Sequence, residues 1–315
     1  NAHELLVHDQ GTYDRRSEAF SFSIVISSVV ERSMKKMNMK FYKYQGAGND
    51  FLIADNRDGS VQLTTAQIAA LCDRRYGVGA DGLMLLESSR EYDFRMVYYN
   101  SDGSGGMMCG NGGRCIVAFA ADMGLNHFDF EAADGFHTAQ ILEVDGRTKT
   151  VRLKMKDVEG YEYHEALTGP ECASDGYFLD TGTRHYVRFV ADLDYYDIVS
   201  EGRDIRYHAQ EFLPVGVNVN FVEPLDRNLK VRTYEKGVED ETYACGTGIV
   251  ASCVAAFVAG HAPSMTMADG RVRYDVRAKK DDLSVDFMPS EVRVAEDVWL
   301  TGPAAFVAKI IVDLN

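Results

Sequence analysis

Cys109-Gly110-Asn111-Gly112-Gly113-Arg114-Cys115 and, further along the same chain, Cys245-Gly246-Thr247-Gly248 are two versions of one pattern. Each is a cysteine, a Gly-x-Gly turn and then an apolar, alanine-rich run (Ile116 to Ala121, Ile249 to Val258), closed by Gly124 or Gly260. The pattern predicts a helix with a thiol at its start. Glycine lets the backbone turn sharply and approach a ligand, and the unpaired N–H groups of a first helical turn carry partial positive charge. A carboxylate docks well at such a turn, and the same field is expected to lower the pKa of the adjacent cysteine. Two such turns in one chain predict a site with two bases.

Working outward, the flanking segments repeat in kind. Lys40 to Tyr44 and Asp50 to Asp55 read as strands joined by the tight turn Gln45-Gly46-Ala47-Gly48-Asn49. Thr64-x-x-Gln67 is a capping box for a helix that buries Ile68, Leu71 and Cys72 and runs to Gly77. Strands follow at Leu83 to Leu86 and Asp93 to Asn100, and Asp134-Gly135 and Asp145-Gly146 divide Phe128 to Met155 into three strand-like segments. The second half has strands at Tyr177 to Asp180, Tyr186 to Val190, Val217 to Val222 and Leu229 to Tyr234, with a charged, partly helical stretch from Asp192 to Tyr207. Internal duplication accounts for the pattern, and a pseudo-twofold pair of domains brings the two helix starts together across a cleft. The expected boundaries are an N-terminal extension over 1–38, a first domain over 39–156, and a second over 157–302. The extension holds Ala19 to Val30, an apolar run diluted by serines and followed by no A-x-A cleavage pattern, and is expected to pack as an extra strand or helix.

Composition narrows the chemistry. The chain has 315 residues, 46% of them hydrophobic, which is enough for a large core and two domains. A formal charge of −15 argues against a nucleic-acid or anionic-membrane surface and for a small soluble substrate. Six cysteines without a C-x-x-C pair do not form a disulfide scaffold, which fits a reducing cytoplasm. Cys115 and Cys253 fall inside the apolar helices and are expected to be buried. No metal is expected, since neither the cysteines nor the eight histidines have paired short spacing. A Cys-His protease using Cys109 and His185 leaves the second turn unexplained, and a dithiol redox role leaves the anion-binding turns unexplained. Proton transfer at a carbon beside a carboxylate and an ammonium group uses everything. One thiolate removes the α-proton from one face, a thiol protonates the other, and backbone N–H groups hold the growing charge. Such a reaction needs no cofactor, and no nucleotide or pyridoxal signature is evident.

The motifs Gln45-Gly46-Ala47-Gly48-Asn49-Asp50-Phe51, Gly79-Ala80-Asp81-Gly82, Asn100-Ser101-Asp102-Gly103, Cys109 to Cys115, Tyr234-Glu235-Lys236-Gly237 and Ala244 to Gly248 together resemble the diaminopimelate epimerase family, from about Met39 to Leu314. The resemblance implies two pseudo-symmetric domains, each a curved, mostly antiparallel sheet or barrel around a central helix, with a last strand within 303–315 returning to the first domain. It also implies interconversion of LL- and meso-diaminopimelate by a cytoplasmic homodimer in lysine and peptidoglycan precursor synthesis. Residue by residue, it makes Cys109 and Cys245 the two catalytic bases. Asn49, Asn100, Gly110, Asn111, Thr183, Asn218, Glu235, Lys236, Gly246 and Thr247 become substrate ligands, with Glu235 for the distal ammonium group. His185 falls at the family's active-site histidine and is a candidate for tuning a thiol. The chain departs from the family where Gly-Asn-Pro-His becomes Gly182-Thr183-Arg184-His185, and where Glu-Arg becomes Glu235-Lys236, a point charge in place of a bidentate fork. A racemase for proline or hydroxyproline is the competing enzyme, against which the distal polar set argues. A silent amino-acid binding protein is the competing non-enzyme, and it would need neither thiol.

Overall fold

The computed structural model describes residues 25–26, 37–106, 108–171 and 175–314. Apolar and aromatic runs form the strand Met37–Gly46, which pairs antiparallel with Asn49–Asp55. Helix α1 (Thr65–Cys72) then carries the chain to Gly82–Glu87, parallel to Asn49–Asp55, and Phe94–Asn100 returns antiparallel. Helix α2 (Gly110–Asp122) makes a second crossover to Asp129–Ala132, again parallel to its neighbour, and the hairpins Gly135–Asp145 and Thr148–Lys154 follow.

The second half repeats that order. Gly176–Asp180 and Arg184–Phe189 pair antiparallel. Helix α3 (Ile198–His208) crosses to Asn218–Pro224, parallel to Arg184–Phe189, and Asn228–Glu235 returns. Helix α4 (Gly246–Val258) crosses to Val272–Arg277, parallel to Asn228–Glu235, and Asp282–Pro289 follows antiparallel. Parallel neighbours need a crossover, and each half uses its two helices for that purpose.

One strand serves both halves. Ala295–Leu314 pairs with Asp282–Pro289 at its start, with Thr148–Lys154 in its middle and with Met37–Gly46 at its end. Its last two pairings close the first half into a ring of strands around α2. The isolated bridge between Val158 and Ala295 helps to close the second around α4. The sequence reading of a mostly antiparallel barrel wrapped on a central helix therefore holds, with the strands of both halves joined in one sheet.

Both central helices are buried on every face along most of their length because a barrel surrounds them. Cys115 through Ala120 and Ile249 through Ala256 belong to the interior, and one apolar cluster runs through both barrels. Burying each of Ile116, Val117 and Phe119 contributes about 1.5–3 kcal/mol. Smaller clusters fill the outer layers, one between the first sheet and α1 and one against α3.

Helix α1 has the expected capping box but stops at Cys72 rather than Gly77. The Asp73 carboxylate accepts the N–H groups of Arg75 and Tyr76, both at 2.7 Å, and so draws the backbone out of the helix. Of the 1–38 extension, Val25–Ile26 forms a short strand parallel to Ile311 and Val312, and the structure also describes residues 37 and 38. The apolar run Ala19 to Val30 otherwise lies outside the described residues, as does Cys172. Among the described residues no helix is long and apolar enough to cross a membrane.

Candidate active site

The two cysteine turns meet where the halves join. Cys109 is the N-cap of α2, its Sγ accepting the Gly112 N–H at 3.3 Å, and Cys245 is the N-cap of α4. The helix starts stand backbone to backbone: a Cβ placed on Gly246 would lie 3.3 Å from the Gly110 Cα. Leu300, on the shared strand, sits beneath both turns, with its Cδ2 3.1 Å from a Cβ built on either glycine. A Cβ on Gly246 would press on the Gly110 backbone as well as on Leu300, whereas one on Gly110 would press on Leu300 alone. The close approach of the N-termini favours glycine most strongly at Gly246.

Both thiols carry raised pKa values, opposite to the direction expected from the helix field alone. Desolvation pushes Cys245 up to about 12, and the Glu235 carboxylate adds to the rise against hydrogen bonds from Thr247 and Gly248. Cys109 opens on the cleft, yet desolvation by the surrounding walls is again the largest influence. The Gly112 N–H and the Arg114 charge oppose it, and Glu235 reinforces it. The partial charges of a helix N-terminus are worth well under the desolvation of a buried thiolate. Glu235 itself is raised by desolvation, with Asp81 adding to the rise, and its charge reaches both thiols.

A hydrogen-bonded set leads into Cys245 from the second barrel. His185 is fully buried, and desolvation holds its imidazole at a pKa of about 3, hence neutral. The Asn220 amide nitrogen stands 3.0 Å from His185 Nδ1 and also faces the Tyr186 carbonyl, while Thr233 donates to the Asn220 Oδ1. These partners orient the amide so that it donates to Nδ1, which leaves the ring proton on Nε2. Nε2 lies 2.9 Å from both Thr183 Oγ1 and Thr247 Oγ1, and Thr247 Oγ1 is 3.4 Å from Cys245 Sγ. Thr181 secures the same turn by donating to the Thr247 carbonyl at 2.9 Å.

A second set ties the turns together from the first barrel. Asn111 donates to Asn49 Oδ1 at 2.6 Å and across the junction to the Ala244 carbonyl at 2.9 Å. Asn49 in turn donates to Asp81 at 2.9 Å. Asn218 spans two loops of the second half, donating to the Arg184 carbonyl and accepting from the Lys236 N–H. Asn100 is engaged with Ser104 of its own loop, and the Lys236 side chain points into solvent. Thus Cys109, Gly110, Asn111, Asn49, Cys245, Gly246, Thr247, Thr183 and His185 form one connected cluster. Glu235 joins it through its charge, and Asn218 acts as a brace behind it.

Asn220, Asp81, Thr181 and the buried Arg114 belong to this cluster and are not singled out as site residues by sequence. Asn220 carries a readable signal, being two residues from Asn218 and so on the same face of one strand. Arg114 carries another, a cation just ahead of the apolar run of its helix. Among the described residues no group of three or more His, Cys, Asp or Glu side chains is placed to hold a metal.

Two barrels on central helices define a known architecture, shared with epimerases and their structural kin. A Bacillus anthracis phenazine biosynthesis protein of the PhzF family superposes with a TM-score of 0.65 at 14% identity, covering 88% of this chain and 100% of that one. A hydroxyproline epimerase from Agrobacterium vitis gives 0.61 at 17% identity, over 88% and 93% of the two chains. At such identities the likeness concerns the fold alone. The sequence itself matches the family described as diaminopimelate epimerase over residues 41–159 and 177–294, and the chain belongs to that family of isomerases. A diaminopimelate epimerase from Flavobacterium psychrophilum is 43% identical over 276 residues, 85% of this chain and 98% of the relative. One from Chlorobaculum tepidum is 43% identical over 264 residues, 82% and 95% of the two chains.

Proposed function

We propose that this protein interconverts LL- and meso-diaminopimelate by two-base proton transfer, with Cys109 and Cys245 as the bases. The observation that carries the proposal is the meeting of two thiol-capped helix N-termini at one point, Gly110 against Gly246. Membership of the family and the named activity of relatives at 43% identity support the substrate. The hydroxyproline epimerase shares the fold at 17% identity and carries no comparable weight.

The substrate's α-carboxylate takes the space at the two N-termini, where unpaired N–H groups stabilise the charge that grows as the α-carbon loses its proton. One cysteine, as thiolate, takes that proton from one face, and the other, as thiol, gives its proton to the opposite face. The pair ends with its protonation exchanged. Glu235 pairs with the substrate's distal ammonium group. Because its negative charge raises both thiols, that pairing also eases formation of the thiolate. Asn49, Asn111, Thr183 and Thr247 line the same space, with Asn218 bracing it from behind and Asn100 and Lys236 at its rim.

The two matched stretches of family sequence support a division into residues 39–156 with the returning strand 303–315, and 157–302. We assign the active form to a cytoplasmic homodimer in lysine and peptidoglycan precursor synthesis. The test is incubation with meso-diaminopimelate in deuterated water under reducing conditions, with α-deuterium and epimer followed together. Both should appear in the same flask. Absence of α-exchange from a folded, reduced sample would overturn the assignment.

A further inference from the structure

Arg114 is buried completely in the first turns of α2, and among the described residues its hydrogen-bond acceptors are the Gly110 carbonyl at 3.2 Å, Asn111 Oδ1 at 2.7 Å and the Pro303 carbonyl at 3.4 Å. None is a carboxylate. A cation beside a helix N-terminus opposes the helix dipole, and a buried charge without an ionic partner is rare. Two independent disadvantages at one position call for a compensating role. Side chains on a helix lean back toward its start, which brings the guanidinium beneath the Cys109 turn.

The geometry also shows what Arg114 controls. A guanidinium has five donors and no acceptor, so the face of the Asn111 amide turned toward Arg114 must be its oxygen. The amide nitrogen is thereby forced toward Asn49 Oδ1 and the Ala244 carbonyl, the residue before Cys245. With the amide turned over, oxygen would oppose oxygen at Ala244 and the tie between the halves would be lost. The charged or titratable groups around Arg114 are Cys109 and Cys115 of its own helix and Asp281 from the second half, and Glu235 acts on Cys109 from the opposite side. Arginine keeps its proton where a buried lysine would shed it, so the charge is permanent.

We propose that Arg114 is a positioning residue of the reaction, orienting the Asn111 amide that joins the two cysteine turns and supplying a fixed positive charge beneath Cys109. The role rests on the two-thiol assignment above but is tested apart from it. In Arg114→Gln, the pH dependence of Cys109 alkylation by iodoacetamide, read by mass spectrometry on the Cys109 peptide, should move upward by about one unit, a tenfold loss of thiolate at a given pH. The kcat for epimerisation should fall at least about tenfold with it. A folded Arg114→Gln whose Cys109 profile and kcat match the parent protein overturns the proposal. Should Arg114→Gln fail to fold, Arg114→Lys is read instead. A head without the fork, and able to lose its proton, should lower kcat and raise the Cys109 profile at high pH, and parent-like behaviour in both readouts overturns the proposal. Neither outcome touches the two-thiol assignment, which fails on a different observation, an active Cys109→Ser.

Discussion

At the scale of single residues, the two thiols are alike in position and unlike in surroundings. Both accept a backbone N–H, but Cys109 adds the Arg114 charge, whereas Cys245 adds the Thr247 hydroxyl at the end of the His185 set. Cys109→Ser and Cys245→Ser should each lower epimerisation by about 10²–10⁴ or more, because a serine hydroxyl is a far weaker base without its own activating group. Each variant retains one thiol, so residual α-proton exchange should favour opposite stereoisomers in the two. Near-normal epimerisation by either variant would contradict the need for both thiols. His185 supplies a second prediction. Its pKa falls from about 6.5 in an unfolded chain to about 3 in the fold, so protons bind the unfolded state more tightly. Stability is therefore full above about pH 6.5 and declines as pH falls toward 3. By linkage the decline between pH 7 and pH 5 is about 2 kcal/mol from this group alone. Urea titrations should show His185→Gln losing correspondingly less over that range, and an equal slope in parent and variant would mean that His185 is not held neutral.

At the scale of elements, the cysteine turns were legible and their company was not. The phrase Cys-Gly-x-Gly followed by an apolar run determines cap, turn and buried helix through local geometry, so both central helices and the burial of Cys115 and Cys253 follow from neighbours in sequence. The thiol pKa direction did not follow, because desolvation depends on walls contributed by distant strands. Asn220 and His185 also meet only through sheet register, in which Val187 lies opposite Asn220 and His185 opposite Asn218. The end of α1 departs from the apolar period because Asp73 competes for backbone N–H groups, an effect of one side chain. Gly248 shows how tightly helix and network are fitted. A Cβ there would stand 2.3 Å from Asn220 Oδ1 and 3.2 Å from His185 Cε1. Gly248→Ala should cost about 1–3 kcal/mol in stability and reduce kcat by displacing that pair. Thermal melts and kinetics test the two effects together, and parent-like values in both would show that the helix start has slack.

At the scale of the whole molecule, the strand Ala295–Leu314 makes the halves thermodynamically dependent. The second barrel uses its first residues and the first barrel uses the rest, so neither sheet retains its shared edge if the strand is lost. The apolar cluster continuous through α2 and α4 adds to the coupling. Calorimetry should therefore give one unfolding transition, with calorimetric and van't Hoff enthalpies in agreement. Two resolved transitions would show that the halves melt independently.

The same strand sets a timetable for synthesis on the ribosome. Thr148–Lys154 and Met37–Gly46 are made early, but the partner that joins them, Ala295–Leu314, is translated long after both. Lys154 waits for Trp299, about 145 residues later, which at ~5–20 residues per second is roughly 7–30 s. Throughout that interval the nascent first half carries two unpaired strand edges beside an unsealed interior, the kind of surface that other nascent chains and chaperones engage. Closure of the first barrel thus waits until Ala295–Leu314 has left the exit tunnel.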